Sequence, residues 1–295
     1  MADTNLIVLT WAFDKFIMNK IVPIFSGGGT RLSAHIGILN AIKDLNIDFD
    51  HIVGVSGGSI VCSLYCAGMS IKDISNLAEE TDFRKFKGFS LLRLFTQGGL
   101  SSGNTFEAWM DHHLNGKTFA QIDKNLSILA TDVNGGGPVI FNKENCPDMK
   151  ISLAVRYSMS IPLLFSFKSY RHHILVDGAI LSEDALHQDW AKDGTDVICF
   201  RLKSEQLEIQ EFKKSWVPIA QYLNMLIRTF MTALSREYVH EQFWQNTIVV
   251  NTENFSSVDF NLSVQQKQSL YKMGYDTAFE FLPQRLVKLN HYLDR

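Results

Sequence analysis

The chain is predicted to fold as an α/β domain, a mostly parallel central sheet flanked by helices. Three observations lead there. Two short β-branched runs, at 21–25 and 52–55, each end in a glycine-rich turn and give way at once to helical periodicity. Strand–helix–strand–helix at the start of a domain calls for parallel pairing with right-handed crossovers. Further apolar runs at 126–130, 173–176, 195–202 and 248–250 supply more strands, with helical segments between them.

The 295 residues suit one large domain or two small ones. No repeat, low-complexity linker or composition break divides them, so 21–295 is read as a single domain with a helical C-terminal portion. Residues 1–20 are read as an amphipathic lead-in. Their apolar run at 6–13 is too short to span a bilayer, and the basic start and small-residue cleavage site of a signal peptide are missing. A net charge of -3 gives no reason to expect a nucleic-acid partner. Cys62, Cys66, Cys146 and Cys199 form neither a disulfide framework nor a paired metal-binding spacing, which suits a reducing, cytoplasmic compartment.

The first strand runs into Ser26-Gly27-Gly28-Gly29-Thr30-Arg31, after which Leu32, Ile36, Leu39 and Ile42 mark a helix. The second strand stops at Ser56 and helical character begins by residue 60, so Gly54-x-Ser56-x-Gly58 sits at a strand-to-helix junction. That context fits a nucleophile elbow, a turn sharp enough to lift the serine hydroxyl clear of the sheet. It also fits an ordinary glycine-rich turn. Ser70 is placed to cap a helix at 71–80. From 83 to 106 the charges are Arg84, Lys85, Lys87 and Arg93 alone, interleaved with Phe83, Phe86, Phe89, Leu91, Leu92, Leu94 and Phe95. A lid, or a peripheral contact with a membrane surface through 83–95, would have this composition. So would a helix pair that buries its phenylalanines.

The run at 126–130 leads through Thr131-Asp132 into the turn Gly135-Gly136-Gly137-Pro138 and a return strand at 139–141. A helix at 148–158 ends before Ser160-Ile161-Pro162, and the strand at 173–176 ends in Asp177-Gly178-Ala179. A long helix is expected at 216–243, with Pro218 tolerated in its first turn. Ser263-Val264-Gln265-Gln266 is a capping box opening the last helix, which Pro283 is expected to kink or break.

Gly27, Gly28, Gly29, Ser56 and Asp177 all stand where predicted strands end. In a parallel sheet such ends share one edge, where α/β proteins place ligands. A serine nucleophile needs a base for its proton and donors for the oxyanion it creates. The amides of Gly27, Gly28, Gly29 and Gly57 are candidate donors, and Asp177 is the candidate base. The glycine run could instead cradle a phosphate, although it lacks the Gly-Lys-Ser/Thr ending of a P-loop. His187 follows Ser56 and Asp177 in the order of a hydrolase triad. The adjacent pairs His112-His113 and His172-His173 point their rings apart and make poor metal sites.

Taken in order, Gly27-Gly28-Gly29-Thr30-Arg31, Gly54-Val55-Ser56-Gly57-Gly58 and Asp177-Gly178-Ala179 resemble the patatin-like phospholipase family. Ala130-Thr131-Asp132-Val133-Asn134 and Ser160-Ile161-Pro162 are similar to further segments of that family. The resemblance implies a three-layer patatin-like fold and lipid acyl hydrolysis by a Ser56–Asp177 dyad, with no histidine and no metal or organic cofactor. It makes Gly27, Gly28, Gly29 and Gly57 the oxyanion hole, supported by Arg31, Gly54, Gly58 and Gly178. Arg31 would lend electrostatic support to a phosphate or oxyanion, or else be a surface arginine with a structural hydrogen bond. Phospholipids or lysophospholipids are the implied substrates. A soluble carboxylesterase or acyltransferase on the same dyad, and a non-catalytic lipid-binding regulator, are the competing readings. The chain departs from the family pattern at Ser26 and Leu32, where aspartate and glycine are usual. It departs again at Ile180-Leu181-Ser182-Glu183, which points to a different acyl or headgroup pocket.

Overall fold

A computed structural model describes residues 20–180, 188–205, 218–236 and 243–293. The lead-in, apart from Lys20, and His187 lie outside the described residues. The first half places β1 (Val22–Ser26), α1 (Leu32–Asp44), β2 (His51–Val55), α2 (Gly57–Cys66) and α3 (Ile71–Glu80) in the expected order. Then come α4 (Leu91–Gln97), β3 (Gly99–Ser101), α5 (Asn104–His113), β4 (Asn125–Asp132) and β5 (Gly137–Phe141). The remainder is α6 (Ile151–Ser158), β6 (Leu163–Phe165), β7 (Lys168–Tyr170), β8 (His173–Asp177), β9 (Val197–Lys203), α7 (Pro218–Arg236), β10 (Thr247–Asn251) and α8 (Val264–Leu293).

The main sheet runs β10-β9-β1-β2-β4-β8-β7, with β5 also paired to β4. The five strands from β10 to β4 are parallel. Alternation along each strand divides the core. Phe25, Ile52, Ile128, Ile198 and Phe200 face the larger cluster, which α1 and α2 complete. Val22, Ile24, Val53, Val55, Leu129 and Cys199 face a smaller one with Trp190.

The direction of β8 corrects the sequence reading. Asp177 was expected to end a strand of the parallel set, but β8 runs antiparallel to β4. Leu129 of β4 pairs with Val55 on one edge and Ile140 on the other, while its neighbour Ala130 pairs with Asp177 and Val139. Each edge of a residue takes one partner, so β2 and β8 share one edge of β4 and meet head to head. β2 ascends to Val55 and β8 descends to Asp177, one rung apart. Two strands distant in sequence therefore deliver Ser56 and Asp177 to a single point.

The helices also show where expectation and structure part. The last helix runs unbroken through Pro283, and Ser263 and Gln266 close its capping box reciprocally. It crosses α1 closely: an added Cβ at Gly37 would lie 2.0 Å from the Tyr271 carbonyl oxygen, and one at Gly274 2.0 Å from that of Ala34. The helix expected from 148 begins at Ile151, because Lys150 first bridges to Thr118. Of the helix expected at 216–243, Pro218–Arg236 is described. No described helix is long and apolar enough to cross a membrane.

Candidate active site

Ser56 joins the end of β2 to the start of α2 with φ 52° and ψ -125°, a backbone conformation that L side chains seldom adopt. Its neighbours explain how the turn closes. A Cβ at Gly54 would lie 2.6 Å from the Ser59 Cα, and one at Gly58 2.1 Å from the Phe25 carbonyl oxygen. Both glycines let backbone pass against backbone, so the helix starts hard against the sheet.

The Ser56 hydroxyl donates to Asp177 Oδ2 at 2.7 Å, and the Ala179 N–H donates to Asp177 Oδ1 at 2.8 Å. Gly178 makes that second contact possible, since a Cβ there would meet the Leu129 carbonyl oxygen at 2.2 Å. Both Ser56 and Asp177 are fully buried. Burial pushes the Asp177 carboxyl up to about 6, against the opposing pull of its two hydrogen bonds. Such a carboxylate is ionised at neutral pH yet basic enough to take a hydroxyl proton.

The C-terminal turn of α6 ties both groups. Ser158 Oγ accepts from the Ser56 N–H at 2.8 Å, and the Ser160 carbonyl accepts from the Asp177 N–H at 3.0 Å. Met159, between them, lays its sulfur 3.6 Å from the Ser56 hydroxyl. Sequence reading saw only a helix end here. Nothing local marks a serine whose partner is 102 residues away.

In the glycine loop the amides divide. The Gly27 N–H donates to the Val55 carbonyl at 3.2 Å and is therefore occupied, although it was counted among the oxyanion donors. The N–H groups of Gly28, Gly29 and Gly57 have no acceptor among the described residues. His35, held neutral by a burial that lowers it to about 4, is 3.0 Å from the Gly27 carbonyl through Nε2 and fixes the loop from behind. Arg31 is buried rather than at the surface. Its guanidinium donates to Thr252 Oγ1 at 2.6 Å and to the Gly28 carbonyl at 3.3 Å. It braces the loop against the segment after β10.

The family model described as patatin-like phospholipase matches residues 24–190. The chain belongs to the patatin-like phospholipase family. Uncharacterized protein R571 of Acanthamoeba polyphaga mimivirus is 30% identical over 284 residues, covering 90% of this chain and 94% of its own length. Probable lipid hydrolase 463L of Invertebrate iridescent virus 6 is 24% identical over 172 residues, which is 53% of this chain and 59% of that protein. Among solved structures, VipD from Legionella pneumophila superposes with a TM-score of 0.61 at 16% identity, over 91% of this chain and 67% of that one. The likeness to VipD is one of fold.

In this patatin-like domain an apolar crevice opens beside Gly29 and Met159, lined by Phe83, Phe86, Phe106, Trp109, Ile161 and Phe165 among others. Its volume is about 30 Å³, room for a water or two but not for an acyl chain. A larger cavity of about 320 Å³ lies at the opposite ends of the strands, around His51, Asn125 and Trp190, away from the dyad. The stretch 83–95 buries some of its apolar side chains and exposes others. Phe83 and Phe86 are buried, while Phe89, Leu92 and Phe95 face outward.

Proposed function

We propose that the chain is a lipid acyl hydrolase of the phospholipase A or lysophospholipase type, acting through Ser56 and Asp177. The observation that carries this reading is the 2.7 Å hydrogen bond from the Ser56 hydroxyl to a buried carboxylate whose basicity burial has raised. Asp177 takes the hydroxyl proton as Ser56 Oγ attacks the ester carbonyl. The oxyanion is met by the N–H groups of Gly28, Gly29 and Gly57, near the positive end of α2. The carboxylic acid of Asp177 then protonates the departing alcohol, leaving an acyl-serine. Water then attacks the acyl-serine and gives a proton to Asp177, and Asp177 returns that proton to Ser56 Oγ as the fatty acid leaves. The apolar lining of the crevice suits an acyl chain once the crevice widens to admit one, and the outward-facing residues of 83–95 suit contact with a lipid surface.

Fluorophosphonate labelling followed by peptide mass spectrometry tests the nucleophile, and the adduct is expected on Ser56. Ser56→Ala and Asp177→Asn should each reduce phospholipid and short-chain ester hydrolysis by at least about a thousandfold. Full activity in either variant would refute the dyad. With each histidine mutated in turn, loss on His187→Ala alone would favour a Ser56–Asp177–His187 triad instead.

A further inference from the structure

Two helices near the crevice expose apolar side chains in an unusual way. On α4, Leu92 and Phe95 are 75% and 84% exposed. On α7, Leu223, Ile227 and Met231 are buried, yet Ile219, Tyr222, Leu226 and Phe230 remain exposed. At about 100° per residue these two rows lie side by side, so the apolar face of α7 covers roughly half the helix and the core takes only part of it. Strand β6 links the helices. It pairs with β3, which follows α4, and it packs against α7. It carries the exposed Leu163, while its Phe165 lines the crevice.

Charge accompanies this apolar surface. Segments 83–97 and 218–236 contain no Asp or Glu and hold Lys85, Lys87, Arg93, Arg228 and Arg236, besides an Arg84 that Asp82 pairs at 2.8 Å, in a chain whose net charge is -3. Helix α7 also lies beyond the residues that the family model matches.

We propose that α4, β6 and α7 together form a docking face for the surface of an anionic lipid bilayer. The apolar side chains enter the acyl region and the cations lie at the level of the phosphates. A second copy of the chain is a poorer occupant, because a two-fold interface would set these like charges against one another. The choice of a lipid surface rests on the acyl-hydrolase reading.

The test measures flotation of the 295-residue chain carrying Ser56→Ala with vesicles of phosphatidylcholine, with and without phosphatidylserine. Removing the nucleophile makes binding independent of turnover, so a failure of the hydrolase reading and a failure of this one are read separately. Binding is expected to need phosphatidylserine. It should weaken about tenfold with Ile219→Ser and Tyr222→Ser together, and similarly with Leu92→Ser and Phe95→Ser. Unchanged thermal unfolding shows that the fold is intact, and the single variants Tyr222→Ser and Leu92→Ser replace any pair that unfolds. Equal vesicle binding by the α7 variants overturns the proposal. So does a solution dimer that those variants dissociate while vesicle binding persists, which assigns the face to a second copy.

Discussion

At the scale of single residues, Asp177, as the proposed base, is held between two demands. A carboxylate must be ionised to accept a proton, yet full burial favours its neutral form and raises it from 3.8 to about 6. Hydrolysis should therefore fall about tenfold per pH unit below 6, which a pH–rate profile on a soluble ester will read; activity undiminished at pH 4 would exclude this base. Stability should move the other way. The folded state prefers the protonated form, so the associated stability is complete below about 4 and is lost as pH rises through about 6. At neutral pH the cost is about 3 kcal/mol. Asp177→Asn is thus expected to abolish turnover while raising the unfolding temperature at pH 8 and not at pH 4. On the proposed mechanism Ser158 is a positioning residue, bonded to the Ser56 N–H rather than to substrate. Ser158→Ala should lower kcat about fivefold with KM little changed, as one hydrogen bond on the elbow is lost.

At the scale of elements, the crossing of α1 and α8 depends on two glycines. Gly37 and Gly274 each leave space that the other helix's carbonyl oxygen fills, at Tyr271 and Ala34. Gly274→Ala should cost about 1–3 kcal/mol by forcing the backbones apart, despite alanine's better helix propensity. Urea unfolding measures it, and a stabilised variant would show that the helices separate freely. This contact was invisible in the sequence, where a glycine inside a helical pattern signals nothing about its neighbour. The early strands and helices were legible because glycine turns and apolar periodicity are local signals. The strands β3, β6 and β7, three residues each, were not, since pairing across the fold alone makes them strands. Ser56, Asp177 and the glycine loop stood out by motif. The direction of β8 and the occupied Gly27 amide did not, because both are settled by partners far along the chain.

At the scale of the whole molecule, the proposed mechanism requires the buried Ser56–Asp177 pair, beside a crevice of about 30 Å³, to be uncovered before an acyl chain can reach it. Arg156 shows where. It is fully buried on α6, and its guanidinium donates to the Ser102 and Ser166 carbonyls at 2.8 and 2.7 Å and to Ser160 Oγ at 2.6 Å. These bonds bind the β3–β6 pair, and with it Phe165 of the crevice wall, to the helix whose last turn holds Ser56 and Asp177. Charged hydrogen bonds of this kind contribute about 1.5–3 kcal/mol each, so moving the β3–β6 pair away from α6 would have to overcome them. A lipid surface that draws α4 and β6 outward would work against them. Hydrolysis of a short-chain phospholipid should consequently rise more steeply than concentration once the substrate aggregates. Arg156→Met should narrow that difference by raising the rate on monomeric substrate, while lowering the unfolding temperature. A variant that loses stability yet keeps the full difference would place the opening elsewhere in the fold.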